Sequence, residues 1–446
     1  MKSMTQIKYI ENNLVWNTDG ECFAYYELLP YNYSFLSEEQ KFEVHEQFQQ
    51  LIAQNREGKI HALQISTETS LRATQERSKA EITGRLKAIA QEKIEEQTEA
   101  LVSMIGDNQL DYRFFIGFKL VSTDQELTVK NVGKGFKETL HAFTYQVNHQ
   151  LMGDFVSIPQ EEVFRYQNLE KLLAAKISRR FKIQPLFSKD FAYLIEHIYG
   201  GEVATYEEYE YAFPKRKLNK ETLIKRYDLI RPTRCLITEN QRYLKIEHEK
   251  QSILVAYLTI NLIVGELDFP SSEIFYYQQQ QFSFPIDTSM NIEIVPNKKA
   301  LSTVRNKKKE LKDLDDHAWE SNNETTNSVV EALDSVDELE TNLDKSKESM
   351  YKLSYVVRVS AKNEEELKQR CEEVLDFYDD LNVKLVRPFG DMFGLHQEFL
   401  PASKRYMNDY IQYITSDFLA GLGFGATHKL GEREGMYVGY NVDTGE

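Results

Sequence analysis

The sequence predicts an α+β fold, made of ferredoxin-like β-α-β units with an inserted antiparallel helical hairpin. In the first third of the chain, short runs with alternating apolar residues take turns with longer amphipathic runs, as expected for helices packed on one sheet. Between residues 298 and 350 the pattern changes to heptad-like spacing in two oppositely charged stretches. A high aromatic content, with 26 Tyr and 25 Phe, adds to the expectation of extensive sheet.

The first predicted unit, residues 1–155, alternates strands and helices in a ferredoxin-like order. Its expected elements are a strand at 22–29, a helix at 37–55, a strand at 60–66, a helix at 71–105, a strand at 112–121 and a helix near 136–151. The helix at 71–105 is expected to be continuous, with Ile82, Leu86 and Ile89 on its apolar stripe.

The second predicted unit, residues 156–297, is mixed. Two helical patterns, near 161–180 and 188–199, lead into a strand-rich region from 206 to 295 that prolines interrupt. The glutamine tract 278–281 is interpreted as a strand or a loop.

Residues 298–350 are the predicted hairpin. The basic segment, 298–312, carries seven Lys or Arg against one Glu, and the acidic segment, 331–348, carries seven Asp or Glu against two Lys. Antiparallel pairing would place these opposite charges side by side, which specifies the partner more than it stabilises it. A single long solvated helix or a disordered linker stays open as an alternative. The apolar residues expected to hold the hairpin together are Leu301, Val304, Leu311, Val329, Val336, Leu339 and Leu343.

The clearest predicted unit is the β-α-β segment 351–402, followed by a glycine-rich connection at 403–446. A strand begins near Leu353, Asn363 caps the following helix, and a second strand at 383–386 stops before Pro388. The apolar stripe of the helix consists of Leu367, Cys371, Val374 and Tyr378.

Composition disfavours several classes of partner and site. The net charge of −16 would repel a nucleic-acid backbone and an anionic membrane surface. The three cysteines are far apart in sequence and form no zinc or disulfide pattern. The most apolar run, 253–264, is shorter than the roughly 20 residues that a membrane-spanning helix needs.

Searches for catalytic motifs find none that is complete. The segment around Gly133 and Lys134 lacks the glycine and the hydroxyl residue of a phosphate-binding loop. His45-Glu46 lacks the second histidine of a zinc-protease motif. The glycines of GLGFG, 421–425, are interpreted as a hinge, and the aromatic-acidic run 206–213 as a solvated strand edge.

Two stretches toward the C-terminal end carry a family resemblance. The first runs from 353 to 402, and its matching residues are Leu367, Val383, Val386, Arg387, Leu400 and Pro401. The second is GMYVGYNVDTGE, whose matching residues are Gly435, Gly439, Asn441, Thr444 and Gly445. Both resemble the CagE/TrbE/VirB family of conjugation ATPases in type IV secretion systems, and its TrsE-like branch in particular.

The resemblance implies a division of labour. In that family the N-terminal half contacts membrane channel components and neighbouring subunits, and the C-terminal half hydrolyses ATP with Mg²⁺. The residues from 435 to 445 match the lead-in to the second half, so the phosphate-binding loop is expected beyond residue 446 and no cofactor in this chain. The implied location is the cytoplasmic face of the cell membrane, with channel proteins and further copies of the ATPase as partners and no direct contact to nucleic acid.

Three hypotheses for function follow. The first is a docking and assembly module, the N-terminal part of a conjugation ATPase that is catalytically silent by itself. The second is a fragment of a complete ATP-hydrolysing motor whose catalytic residues lie outside residues 1–446. The third is a nucleic-acid-binding accessory protein of DNA transfer that uses the basic segment, against which the net charge and the neighbouring acidic segment argue.

Overall fold

A computed structural model gives the fold of the chain. The residues that it describes are 7–53, 58–105, 108–121, 155–199, 221–225, 235–248, 252–264, 269–320, most of 333–345, 347–403 and 409–427. The helix expected near 136–151, the run 206–213 and the glycine-rich lead-in 435–445 lie outside the described residues.

The N-terminal half of the chain alternates strands and helices. Its elements are β1 (Ile7–Glu11), β2 (Leu14–Asn17), β3 (Cys22–Leu28), β4 (Tyr31–Asn32), α1 (Glu38–Ala53), β5 (Gly58–Ser70), α2 (Leu71–Glu81), α3 (Lys87–Ile105), β6 (Asn108–Lys119), β7 (Phe155–Pro159), α4 (Gln160–Ile177), β8 (Ile183–Pro185), α5 (Ser188–Ile198) and β9 (Glu221–Lys225). The strands expected at 22–29, 60–66 and 112–121 are present as β3, β5 and β6.

The C-terminal half continues the same alternation. Its elements are β10 (Leu236–Glu239), β11 (Leu244–Glu247), β12 (Ser252–Ile263), α6 (Ile274–Gln281), β13 (Ile286–Val295), α7 (Asn297–Glu320), β14 (Met350–Ala361), α8 (Glu364–Asp380), β15 (Val383–Val386), α9 (Met392–Gln397), β16 (Gln412–Ile414), α10 (Ser416–Gly421) and β17 (Ala426–Thr427). As expected, Asn363 caps α8, because its side chain accepts a hydrogen bond from the Glu366 N–H at 2.9 Å.

One large antiparallel sheet organises the described residues. Ten strands follow the order β1-β2-β3-β6-β5-β13-β14-β12-β11-β10, while β8 adds to β3, β15 to β12 and β16 to β14. Strands from the predicted segments 1–155, 156–297, 351–402 and 403–446 all contribute, so these segments share one sheet.

The two ends of the strand order correspond element by element. On one side, β1, β2 and β3 precede α1, β5 and β6; on the other, β10, β11 and β12 precede α6, β13 and β14. The correspondence extends to β8 beside β3 and β15 beside β12, each followed by a helix, α5 or α9. The halves meet where β5 pairs antiparallel with β13, which makes the arrangement pseudo-twofold.

Helices cover both faces of the sheet. On the first face, α1, α4, α6 and α8 pack over one continuous apolar core, to which α8 contributes the expected stripe Leu367, Cys371, Val374 and Tyr378. On the second face, α5 and α9 cover a separate core. The alternation of side chains along each strand explains why both faces can be apolar in one sheet.

Each half carries a helical insertion between two neighbouring antiparallel strands. The first, α2 and α3, lies between β5 and β6, and the second, beginning with α7, lies between β13 and β14. Since β5 and β13 run antiparallel, with Gln64 opposite Thr288 and Gly58 opposite Ile294, the two insertions leave the sheet at opposite ends.

The expected continuous helix at 71–105 is wrong. It is divided into α2 and α3, with a break around Gly84, whose φ of 103° lies in the left-handed region that favours glycine. Leu86 and Ile89, expected on the apolar stripe, are exposed at 69% and 65%. The break turns α3 back along α2, so one stripe cannot serve both helices.

Two smaller interpretations are also corrected. The glutamine tract ends helix α6 instead of forming a strand or a loop, because Phe275 and Gln278 are buried one turn apart against the sheet. The GLGFG glycines form a closely packed turn instead of a hinge. A Cβ atom on Gly423 would lie 2.7 Å from Cβ of Glu273, and one on Gly425 would lie 2.8 Å from Cδ2 of Leu28.

Among the described residues, no helix combines the length and the apolar character that crossing a bilayer requires.

Candidate docking arm

The insertion that begins with α7 is rooted directly in the central sheet. β13 ends at Val295, Pro296 interrupts the ladder because it lacks an N–H, and its carbonyl accepts hydrogen bonds from Lys299 N and Ala300 N at 2.9 Å each. Val295 pairs with Met350, the first residue of β14. The insertion therefore leaves and re-enters the sheet at adjacent positions.

A small apolar core joins the two sides of this insertion. It is separate from the cores on the two faces of the sheet and consists of the buried residues Val295, Ala300, Val304, Leu343 and Met350. Three expected hairpin residues, Leu301, Val336 and Leu339, pack against it and are partly buried. Because Val304 and Leu343 belong to the same core, this core links α7 to the helical residues that precede β14.

Opposite charges continue this contact toward solvent. Arg305 Nε donates to Glu340 Oε1 at 2.8 Å, and Lys308 Nζ lies 2.8 Å from Asp337 Oδ1 and 3.0 Å from Glu340 Oε2. Lys308 follows Arg305 by three residues, and its partner Asp337 precedes Glu340 by three residues. The two segments therefore run antiparallel. The Arg305 hydrogen bond, followed by that of Lys308, lowers the pKa of Glu340.

A polar tie that the sequence did not indicate closes the base of the insertion. Asn297 Nδ2 donates to the carbonyl oxygens of Leu343 at 2.8 Å and Glu348 at 2.7 Å. Ser416 Oγ donates to Glu348 Oε2 at 2.7 Å. The available signal was an asparagine at the start of a helix, at the boundary between the predicted mixed unit 156–297 and the predicted hairpin.

The structure locates six of the seven predicted hairpin residues. Val304, Leu311 and Leu343 are buried, and Leu301, Val336 and Leu339 are partly buried. Val329 lies outside the described residues, as do the predicted lead-in residues Gly435, Gly439, Asn441, Thr444 and Gly445.

A second group of interacting polar side chains, missed by the sequence analysis, lies between the sheet and α5. Arg358 Nη1 on β14 donates to Asp287 Oδ2 on β13 at 2.6 Å, and His197 Nε2 on α5 lies 2.9 Å from the same oxygen. Ser66 donates to Asp287 Oδ1 through its N–H at 2.7 Å and through Oγ at 2.6 Å. Burial alone would raise the pKa of Asp287, but His197, Arg358 and Ser66 together lower it.

The N-terminal end of α5 makes a matching contact in the other half of the sheet. Arg113 on β6 donates to Glu27 at 2.9 and 2.7 Å and to Asp190 of α5 at 3.2 Å, all within the protein interior. Helix α5 therefore connects both halves of the sheet through charged groups. Because these charges are paired and hydrogen-bonded, we interpret them as structural.

Two tyrosine–histidine pairs occupy the same buried layer. Tyr25 Oη lies 2.8 Å from His61 Nδ1, and Tyr257 Oη lies 2.7 Å from His396 Nδ1. Burial lowers the pKa of His61 to about 3, and burial together with the positive charge of Arg358 lowers the pKa of His396 to about 3. Both imidazoles are therefore neutral at pH 7.

A shallow cavity at the β5–β13 junction is a candidate site for a small ligand. Its volume is about 230 Å³, and its lining includes Lys59, His61, Asn291, Glu293 and Ser403. In the described part of the chain, no group of three or more His, Cys, Asp or Glu residues could hold a metal ion. The insertion arm, residues 297–349, is the stronger candidate for function.

Comparison with known proteins adds a whole-length likeness. No protein-family model matches the chain. The chain is similar to YddE, an uncharacterized protein of Bacillus subtilis (strain 168), with 19% identity over 447 residues, which cover 99% of this chain and 51% of YddE. The chain therefore spans about half the length of this relative.

Proposed function

We propose that this chain is the N-terminal docking and assembly part of a conjugation ATPase of the CagE/TrbE/VirB family, close to its TrsE-like branch. The proposal takes the family from the resemblance at 353–402 and 435–445. A similarity that extends over half of YddE is consistent with one part of a larger protein. ATP and Mg²⁺ would be cofactors of the full-length family member and not of this chain.

The proposal includes a finer description of the fold. The strand orders β8-β3-β6-β5 and β15-β12-β14-β13, each with the connectivity strand, helix, strand, strand, helix and strand, support two ferredoxin-like units joined edge to edge. The hairpin would then be an insertion between the second and third strands of the second unit, and α2–α3 the matching insertion of the first.

The insertion arm carries the docking role in this proposal, and the single observation behind it is its anchorage. The arm has its own core around Val304 and Leu343, and ion pairs define the register of its two sides. It leaves the sheet at the end of β13 and returns at the adjacent start of β14. Such an arm holds a defined shape outside the sheet and can be removed without opening either sheet core. Those properties suit a contact element for channel proteins or neighbouring subunits at the cytoplasmic face of the membrane.

Sedimentation with membranes tests the proposal. The purified chain should co-sediment with membranes that contain the channel proteins of its conjugation machine, and not with membranes from cells lacking them. Replacing residues 299–346 with a short Gly-Ser linker should abolish this binding, while the matched surface variant Lys171→Ala/Lys176→Ala on α4 should retain it. Equal binding to both kinds of membrane, or by the linker variant, would contradict the proposal.

A further inference from the structure

The outer side of α7 carries lysines for which the described residues provide no ion-pair partner. Lys298, Lys309 and Lys312 are exposed. Their spacing of 11 and then 3 residues places them on one stripe of a helix with 3.6 residues per turn. Arg305 lies within the same stripe and pairs with Glu340 of the facing segment. The stripe faces away from the buried Ala300, Val304 and Leu311; we call it the lysine face.

The outer side of α8 carries the complementary charge. Glu372, Asp376 and Asp380 are exposed and lie on one stripe, which we call the acidic face. This stripe is opposite the buried side of the helix, which consists of Leu367, Cys371, Val374 and Tyr378. Glu365 extends the stripe by two turns toward the start of α8.

The two faces also match in length. At 1.5 Å per residue, the lysine face extends about 21 Å from Lys298 to Lys312, and the acidic face about 22 Å from Glu365 to Asp380. From complementary charge and matched length, we infer that the lysine face of one copy docks on the acidic face of α8 in a second copy of this chain. The inference deepens the proposed function, on which it rests only for the expectation that copies assemble.

A second copy fits the lysine face better than a lipid surface or nucleic acid. Both of those partners are extended anionic surfaces, and the chain has a net charge of −16, with the exposed Asp337 and Asp344 on the segment beside α7. A single acidic helix can face the lysines without approaching these carboxylates. At physiological salt, charges are screened beyond about 8 Å, so the directly facing residues decide the contact.

The contact joins two different surfaces of the chain. Such a heterologous contact closes into a ring or, if each copy also receives the arm of the other, into a reciprocal dimer. Because charged residues dominate both faces, association should weaken as salt concentration rises.

Charge reversal on each face tests the inference. The first variant is Lys298→Glu/Lys309→Glu/Lys312→Glu, and the second is Glu372→Lys/Asp376→Lys/Asp380→Lys. Each should weaken self-association of the chain at least tenfold, as measured by sedimentation velocity at 50 mM salt. A chain with all six substitutions should return to within about threefold of the original, as should an equimolar mixture of the two variants. The control for the first variant, Lys171→Glu/Lys176→Glu/Arg179→Glu, makes the same change in net charge as that variant on another exposed surface and should have little effect.

The rescue distinguishes a second copy from other anionic partners. A chain that is monomeric at 100 μM in 50 mM salt would overturn the inference. So would a chain with all six substitutions that self-associates as weakly as the two variants with one reversed face. Binding to vesicles with about 30% anionic lipid, or to duplex DNA, that is lost in the first variant without a change in self-association would also overturn it. In each of these cases, retained binding to channel-containing membranes would leave the proposed function standing.

Discussion

Lys308 Nζ on α7 lies 2.8 Å from Asp337 Oδ1, and this pair links the basic segment to the acidic one in an antiparallel register. Its neighbour Arg305 bonds to Glu340 at 2.8 Å, one turn away on α7. Charge segregation along the sequence thus corresponds to contacts in the fold. The ion pairs lie at the solvent-facing side of the contact, so they select the register and contribute little stability. The stability of the contact comes from buried apolar side chains such as Val304 and Leu343.

A charge exchange between the two segments tests this register. Lys308→Glu places a third carboxylate beside Asp337 and Glu340 and should speed proteolytic cleavage within residues 297–349 several-fold. Adding Asp337→Lys restores an opposite charge beside position 308 while Glu340 keeps its pair with Arg305, and should return cleavage to within about twofold of the original rate. Limited proteolysis followed by mass spectrometry measures both. If cleavage stayed fast after the compensating substitution, the two segments would not meet in this register.

The small core of the arm should open without unfolding the sheet. Leu343→Ala removes a buried side chain and should lower the local stability of the arm by about 2 to 5 kcal/mol. Hydrogen exchange should therefore accelerate in α7 and in 336–345 but not in β5 or β12. The control is Leu236→Ala, at a site that is 63% exposed. It should change hydrogen exchange neither in the arm nor in the sheet. Faster exchange throughout the sheet would show that the arm is not an independent unit.

We expect Arg358 to be required for the stability of the fold, because without it the buried carboxylate of Asp287 loses a positively charged partner. Arg358→Met should lower the free energy of unfolding by about 3 to 5 kcal/mol, measured by denaturant titration. Arg358→Met/Asp287→Asn removes the buried, unbalanced charge as well and should recover part of that loss. A double variant no more stable than the single one would contradict the interpretation of this pair.

Two buried histidines should make the fold sensitive to acid. An unfolded chain protonates each imidazole near pH 6.5, whereas His61 and His396 stay neutral in the fold down to about pH 3. The unfolded state therefore binds more protons, and stability should fall as the pH drops from 6.5 toward 3, by about 1.4 kcal/mol per pH unit for each histidine. His61→Gln/His396→Gln should flatten the free energy of unfolding between pH 6.5 and 5. An unchanged slope would contradict neutral histidines in the fold.

Local patterns predicted much of this fold because they reflect local physics. The cap at Asn363, the buried stripe of α8 and the apolar spacing of α7 depend on residues a few positions apart, and all were predicted from the sequence. The break at Gly84 was missed, because a single glycine competes only weakly with a long helical pattern.

Long-range relationships were beyond local patterns. Nothing near Arg113 or Arg358 in sequence indicates that Asp190 and His197, on a single helix, would contact them from above the sheet. The pseudo-twofold strand order was likewise invisible, because it depends on which strands pair and not on where they begin. Apolar spacing indicated the burial of Val304 and Leu343, whereas the tie through Asn297 to distant carbonyl groups was not predicted.

The frequency of DNA transfer tests the docking role of the arm in cells. In cells whose resident gene encodes the protein with residues 299–346 replaced by a short Gly-Ser linker, we expect normal protein levels and a loss of conjugative transfer of at least a hundredfold. Cells with the α4 variant Lys171→Ala/Lys176→Ala should transfer at the normal frequency. Undiminished transfer by the linker variant would contradict the docking role of the arm.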